Sequence, residues 1–191
     1  YKKYDNYKII LFVGRLNEQK GVEYLIKAMP SFISKIKNAK LLIIGEGDYE
    51  KYLQKTTNEL KLNGVIEFLG SKNSVEVADY YNLADVFVLP SVTSSIGTEA
   101  FGLVLTEAMA CGTCVIGSSS GGIKEIIKEN VNGLIFQEKN PEDLAVKLIK
   151  VLEDTKLRKK LSKNGLKCAR KDYDWRIISK KFLKLYDKLL K

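Results

Sequence analysis

Residues 9–47, IILFVGRLNEQKGVEYLIKAMPSFISKIKNAKLLIIGEG, decide the fold. The segment opens on an apolar run at 9–13 and breaks at Gly14. It continues with helical period over about 21–37, and closes on a second apolar run at 40–44 followed by Gly45-Glu46-Gly47. Apolarity at successive positions, rather than at every other one, marks strands covered on both faces. Two such strands joined by a helix run parallel, since only a long crossover can bring the chain back in the same direction.

Outward from this unit the alternation repeats. Further strand candidates lie at 65–69, 86–89, 114–116 and 134–136, and helices at about 48–62, 74–83, 102–110, 121–129 and 141–153. The βαβαβα order predicts an α/β fold: a Rossmann-like, doubly wound parallel sheet of about six strands with helices on both faces. Two Lys-rich helices follow, at about 155–170 and 174–190. In the second, Trp175, Ile178, Phe182, Leu185, Tyr186 and Leu189 share one stripe, while Lys180, Lys184, Lys188 and Lys191 share the other. The pattern alone predicts that this stripe packs on the rest of the chain.

The 191 residues, 45% apolar and 29% charged, suit one globular domain spanning 1–191 and exclude disorder as the main state. No apolar run reaches the eighteen or so residues of a membrane span. Residues 1–8 are polar, unlike a signal peptide, so the expected location is cytoplasmic. Three cysteines are too few for a disulfide framework. The absence of histidine excludes Ser-His-Asp and Cys-His nucleophiles, a histidine base and every His-containing metal site. Chemistry is left to carboxylates, Lys, Arg, hydroxyls and backbone dipoles. The net charge of +9 comes entirely from the end of the chain: residues 1–150 carry 18 basic and 18 acidic side chains, and residues 151–191 carry 14 and 5. No basic groove follows the strand ends, so nucleic acid is not an expected partner.

In an open parallel sheet, ligands bind in the crevice at the carboxyl ends of the strands. After the first strand come Gly14-Arg15-Leu16 and then Lys20-Gly21 at a helix start. A turn-permitting glycine, an Arg fork, a Lys charge and a helix N-terminus together suit an anion such as a diphosphate. Gly45-Glu46-Gly47 resembles the opening of a dinucleotide fingerprint, but Glu50 occupies the third glycine's place and Glu46 would oppose a pyrophosphate. A plain tight turn is the better reading there. A phosphoacceptor receiver domain fails as well, because the first strand ends in Gly14-Arg15 and the third in Gly70-Ser71, with no acidic residue at either.

The richest stretch follows the fourth strand: Pro90-Ser91, then Glu99-Ala100-Phe101-Gly102-Leu103-Val104-Leu105-Thr106-Glu107. If the chain between the two glutamates were helical, their eight-residue spacing would put them roughly 12 Å apart on one face. That is too far to share a proton or a metal, and suitable for gripping hydroxyls on different parts of one long ligand. The N–H groups of Phe101, Gly102 and Leu103 would face an anion between them. Spacing alone equally allows both glutamates to be solvent-facing helix charges.

The motifs together narrow the choice. Gly14-Arg15-Leu16 with Lys20-Gly21, Phe68-Leu69-Gly70, Ala84-Asp85-Val86 leading to Leu89-Pro90-Ser91, and Glu99 to Glu107 closed by Ala108-Met109-Ala110-Cys111-Gly112 occur in order. Gly121-Gly122-Ile123, Glu125-Ile126-Ile127 and Asn132-Gly133-Leu134 complete the series. The chain resembles the C-terminal, donor-binding domain of a retaining glycosyltransferase of the GT-B architecture, group 1 (family 4), over about residues 9–190. Each motif is weak and the ordered set is specific.

The resemblance implies a hexosyltransferase-type enzyme of polysaccharide or glycoconjugate biosynthesis. Arg15 and Lys20 would hold the diphosphate of a nucleotide sugar, with Gly14 allowing close approach. Glu99 would bind hydroxyls of the sugar, and Glu107 those of the ribose. The backbone of Phe101, Gly102, Leu103 and Val104 would approach sugar and phosphate, and the base would lie against Gly70, Ser71 and Lys72. Arg15, Lys20 and Glu99 are the residues closest to the chemistry on this reading. Cations stabilise the diphosphate as it leaves, so no metal or other cofactor is implied. UDP-glucose and GDP-mannose head the family's donors.

Two motifs are read structurally. Asp172-Tyr173-Asp174 resembles the metal motif of another glycosyltransferase architecture but lies between the terminal helices, where Asp174 suits a helix N-cap. Cys111 and Cys114 form C-x-x-C but follow a helix instead of opening one, so burial is the expectation. The resemblance further implies half of a GT-B enzyme, with a separate N-terminal acceptor domain toward which the last helix crosses. Its Lys-rich face is a candidate for peripheral contact with a membrane surface, although 28 Lys against 4 Arg more simply reflects a compositional habit. A noncatalytic nucleotide-sugar-binding subunit and a GT-B-type nucleotide-sugar epimerase are the alternatives.

Overall fold

The computed structural model describes residues 2–95 and 97–190. Six parallel strands form one sheet: β1 (Lys8–Val13), β2 (Ala39–Ile44), β3 (Ile66–Phe68), β4 (Val86–Leu89), β5 (Cys114–Ser118) and β6 (Leu134–Phe136), in the spatial order β3-β2-β1-β4-β5-β6. The helices are α1 (Val22–Lys35), α2 (Glu50–Glu59), α3 (Ser74–Leu83), α4 (Leu103–Ala110), α5 (Ile123–Ile126), α6 (Pro141–Glu153), α7 (Thr155–Asp172) and α8 (Trp175–Leu189). One layer packs α1 against α2 and α6, and the other packs α4 against α3 and α7. This is the expected doubly wound, Rossmann-like α/β architecture.

The continuous apolar runs have their expected cause. Ile10, Leu11 and Phe12 of β1, Leu41 to Ile43 of β2 and the whole of β4 are sealed from solvent on both faces. Each such side chain stabilises the fold by about 1.5–3 kcal/mol. Asp85 fixes the entry to β4: its carboxylate accepts the Ile9 N–H at 3.0 Å and the Arg158 guanidinium of α7 at 3.1 Å. The Asp85 position thus clamps β4 to β1 and to the α7 layer.

Chain order reverses between β1 and β4, which are direct neighbours although β2 and β3 intervene in sequence. The loops leaving these two strands therefore diverge above the sheet and open the crevice in which such folds bind ligands. Gly21 and Pro90 show how closely the loops approach. Gly21 has φ +62°, and a Cβ there would lie 2.1 Å from the Pro90 carbonyl oxygen. The Val92 N–H donates to the Gln19 carbonyl at 2.8 Å, tying the loops a second time.

The helix expected at about 102–110 is α4, which begins at Leu103 after Gly102 in the left-handed region at φ +87°; Glu99 precedes it, so the condition for a two-turn spacing of Glu99 and Glu107 is not met. Two expectations are corrected. The helix expected over 121–129 shrinks to α5. The buried Asn132 side chain accepts the Lys128 N–H at 2.7 Å and donates to the Ile126 carbonyl at 3.0 Å, ending the helix early. The stripe of α8 does not pack on the sheet. None of the described residues of α8 is buried, and Trp175 and Leu189 are each 73% exposed.

Candidate functional site

The loop after β1 is organised by Asn17. Its side-chain oxygen accepts the Lys20 N–H at 3.1 Å and caps the short turn Glu18–Lys20, which delivers the Lys20 side chain toward the β4 loop. There Lys20 Nζ lies 2.6 Å from Glu99 Oε2. Ser91 Oγ donates to the same oxygen at 2.8 Å. A cation from the β1 loop and a carboxylate from the β4 loop thus meet across the switch point, both largely shielded from water. A charge-assisted bond of this length is among the stronger contacts a side chain makes.

The β4 loop is held from its other side by hydroxyls. The Ser118 hydroxyl at the end of β5 donates to the Ser91 carbonyl at 2.5 Å, and Thr98 Oγ1 lies 2.9 Å from Ser120 Oγ. Glu138, just beyond β6, accepts the Thr93 N–H and the Thr93 hydroxyl. The ends of β5 and β6 therefore position the segment that carries Ser91 and Glu99.

Arg15 stands apart from this cluster. It is exposed and lines a cleft of about 300 Å³ with Gly14, Glu46, Ser71 and Lys72. Gly70 adjoins it, with φ +64°. Glu46 Oε1 accepts the Ser71 N–H at 3.1 Å. Arg15 is thus brought together with the loop after β3, whereas Lys20 is brought together with Glu99.

Glu107 projects from α4 and accepts the Tyr81 hydroxyl at 3.1 Å. Tyr81 is buried, its ring meets Phe87 edge-on at 5.4 Å, and its phenol is pushed well above its ordinary range by burial and by the Glu107 charge beside it. It therefore donates rather than ionises. Gly102 precedes α4 with no side-chain cap on the helix, which leaves first-turn N–H groups without a capping partner. The Phe101 ring meets Tyr173 edge-on at 5.6 Å. Leu103 is exposed, and Val104 packs against the core. Phe101, Leu103 and Glu107 also border an apolar groove of about 500 Å³ against Tyr173, Trp175 and Phe182.

Sequence reasoning gave Ser91, Glu46 and Tyr81 no role. Ser91 and Glu46 sit just past strand ends, a signal that could have found them. Tyr81 lies inside α3 and nothing local marks it. Of the two motifs read structurally, Asp174 caps a helix as expected, whereas the expected burial holds for Cys114 and not for Cys111, which is only half-buried. Asp174 Oδ1 accepts the Arg176 N–H at 2.8 Å as the α8 cap, and its contacts with Arg176 hold its carboxyl down at about 2. Burial pushes the Cys114 thiol up to about 12, and burial with the Glu107 charge raises Cys111, so neither is an activated thiol. Among the described residues no group of three or more Cys, Asp or Glu side chains is placed to hold a metal ion. No helix there is long and apolar enough to cross a membrane.

Comparison with known proteins gives a consistent picture. Residues 1–167 match the family model described as glycosyl transferases group 1. An uncharacterised glycosyltransferase of Methanocaldococcus jannaschii is 43% identical over 182 residues, covering 95% of this chain and 45% of that protein. The GDP-mannose-dependent monoacylated alpha-(1-6)-phosphatidylinositol monomannoside mannosyltransferase of Corynebacterium glutamicum is 32% identical over 179 residues, covering 93% and 46%. The crystal structure of the C-terminal domain of a group 1 family glycosyl transferase from Francisella tularensis superposes with a TM-score of 0.81 at 30% identity, covering 91% of this chain and 90% of that one. The chain spans somewhat under half the length of the two full-length relatives.

Proposed function

Because the chain belongs to the group 1 glycosyl transferases, we propose that it is the half of such an enzyme that binds a nucleotide-diphosphate sugar. Together with an acceptor-binding domain, it would transfer the sugar with retention of anomeric configuration and without a metal. The observation that carries this reading is the Lys20–Glu99 pair at 2.6 Å across the switch point. A cation for the diphosphate and a carboxylate for the sugar hydroxyls belong side by side, because the bond to be broken joins those two parts of the donor.

Without a ligand, Glu99 and Lys20 satisfy each other. An arriving diphosphate offers Lys20 a second anion, and Glu99 is then free to accept from sugar hydroxyls. Arg15, on the same loop, supplies a fork for the remaining phosphate oxygens. Glu107 grips the ribose hydroxyls with its geometry set by Tyr81, and the base enters the cleft beside Ser71 and Lys72.

In the reaction, the bond from the anomeric carbon to the diphosphate oxygen breaks and negative charge grows on that oxygen. Lys20, Arg15 and the uncapped N–H groups at the start of α4 stabilise it. The acceptor hydroxyl attacks the oxocarbenium-like carbon from the face the diphosphate leaves, and its proton passes to the departing phosphate oxygen. The leaving group serves as base, so the chain needs no nucleophile of its own. GDP-mannose, which the Corynebacterium relative's name specifies, and UDP-glucose are the donors to test first.

Titration of the chain with UDP, GDP and ADP and their sugars tests the proposal. One nucleoside diphosphate should bind selectively, and its sugar conjugate should depend on Glu99. Absence of binding by any of them to the folded chain would contradict it.

A further inference from the structure

Glu46 sits on a turn that two glycines press against the β1 loop. A Cβ on Gly45 would lie 1.9 Å from the Gly14 carbonyl oxygen, and one on Gly47 would lie 2.1 Å from that of Leu16. The Glu46 carbonyl accepts the Leu16 N–H at 2.9 Å, so its backbone is tied to the loop that carries Arg15. Its side chain reaches the other way, where Oε1 accepts the Ser71 N–H at 3.1 Å. The neighbouring Gly45 N–H donates to the Gly70 carbonyl at 3.0 Å. One residue therefore bridges the β1 loop and the loop after β3, within the cleft that Arg15, Ser71 and Lys72 line.

A carboxylate is an expensive choice for this bridge. Beside a cation expected to hold a diphosphate, its charge weakens anion binding. An amide would accept the Ser71 N–H without that cost, although less strongly. The carboxylate also occupies the Ser71 N–H, which would otherwise face an entering base as a free donor. Glu46 thus sets both the position of this loop and the donor–acceptor pattern it presents.

We infer that Glu46 is a positioning residue that determines nucleobase specificity by fixing the Gly70–Lys72 loop through the Ser71 N–H. The inference rests on the donor-site reading above. Without Glu46 the loop loosens and gains a donor, so discrimination among bases falls while the diphosphate grip of Arg15 and Lys20 persists.

The test is calorimetric titration of the chain with UDP, GDP, ADP and inorganic pyrophosphate, alongside thermal melts, for the wild type and for Glu46→Ala, Glu46→Thr and Glu46→Gln. The Ala variant has no side-chain acceptor and the Thr hydroxyl is two bonds too short to replace Oε1 at the Ser71 N–H, so either one that folds decides the matter. They should lower the affinity ratio of the best to the second-best nucleotide by about tenfold and leave pyrophosphate binding equal or tighter. Gln keeps an acceptor and should largely retain the ratio while binding pyrophosphate more tightly. An unchanged ratio in a folded Ala or Thr variant overturns the inference and leaves the donor site standing. A wild type that binds neither nucleotide nor pyrophosphate overturns both.

Discussion

Lys20 Nζ and Glu99 Oε2 lie 2.6 Å apart although 79 residues separate them in the chain. The pair joins the loops that leave β1 and β4, the two strands between which chain order reverses. Each partner satisfies the other, and on the proposed reading an arriving nucleotide sugar would separate them. Replacing one therefore has opposite consequences for the two halves of a nucleotide sugar.

Lys20→Ala is expected to weaken nucleoside diphosphate and pyrophosphate binding by about tenfold or more, since it removes a charge-assisted contact. Glu99→Gln should leave nucleoside diphosphate binding equal or tighter, because Lys20 is released, and should weaken the sugar conjugate relative to the free diphosphate. Paired titrations of the diphosphate and its sugar read both effects. A parallel loss of both ligands in Glu99→Gln would contradict the assignment.

Tyr81 is a positioning residue for Glu107, and its hydroxyl is the group to delete. Tyr81→Phe keeps the buried ring and should cost at most about one neutral-to-charged hydrogen bond, roughly a tenfold loss in ribonucleotide affinity. The loss should be absent for a 2′,3′-dideoxy diphosphate, which gives Glu107 nothing to hold. Equal losses for both ligands would mean that Tyr81 acts on the fold alone.

Gly21→Ala probes the approach of the two loops. The new methyl would meet the Pro90 carbonyl at 2.1 Å, on a backbone already at φ +62°. It should destabilise the protein by at least about 1–2 kcal/mol and weaken diphosphate binding with it. Chemical denaturation and titration check the two parts. A variant of wild-type stability and affinity would show that the loops can separate freely.

Glu67 governs part of the acid limb. Desolvation is the largest single influence on it and raises its pKa, but the bonds from Lys3, Tyr4 and Lys40 together outweigh burial, so its carboxyl is held below the ordinary 4.5. A carboxyl depressed in the folded state contributes stability that is present above 4.5 and lost as pH falls through the lower folded value. Glu67→Gln should lower the melting temperature by a few degrees, of order 1 kcal/mol, at pH 7. The difference from wild type should shrink below pH 4.5. A difference that stays constant down to pH 3 would contradict the linkage.

The sheet was legible because its strands are buried on both faces, so their composition announces them without help from neighbours. The strand-end rule then picked out Gly14, Arg15, Lys20 and Glu99 as loop residues worth testing, and the family resemblance added Ser71. What stayed hidden depends on contacts distant in sequence or on one backbone conformation. The start of α4 was legible at about residue 102, but not the left-handed backbone of Gly102 that sets the direction of the chain between Glu99 and the helix. Asn132 ends α5 with a buried side chain from beyond the helix. Glu46 looked unsuitable because its charge opposes a phosphate, and only the Ser71 N–H explains its place. The α8 stripe shows the opposite failure, since amphipathic periodicity tells that a face is apolar and not what covers it.

The most direct test of the central claim, that the switch-point crevice binds a nucleotide-diphosphate sugar, is a titration of the chain with UDP, GDP and ADP, repeated with Arg15→Ala and Glu107→Ala. The account predicts selective binding of one nucleotide, with a matching rise in thermal stability that both variants lose while remaining folded. Binding that is indifferent to the base and unchanged in both variants would contradict it, as would no binding to the folded wild type at millimolar nucleotide.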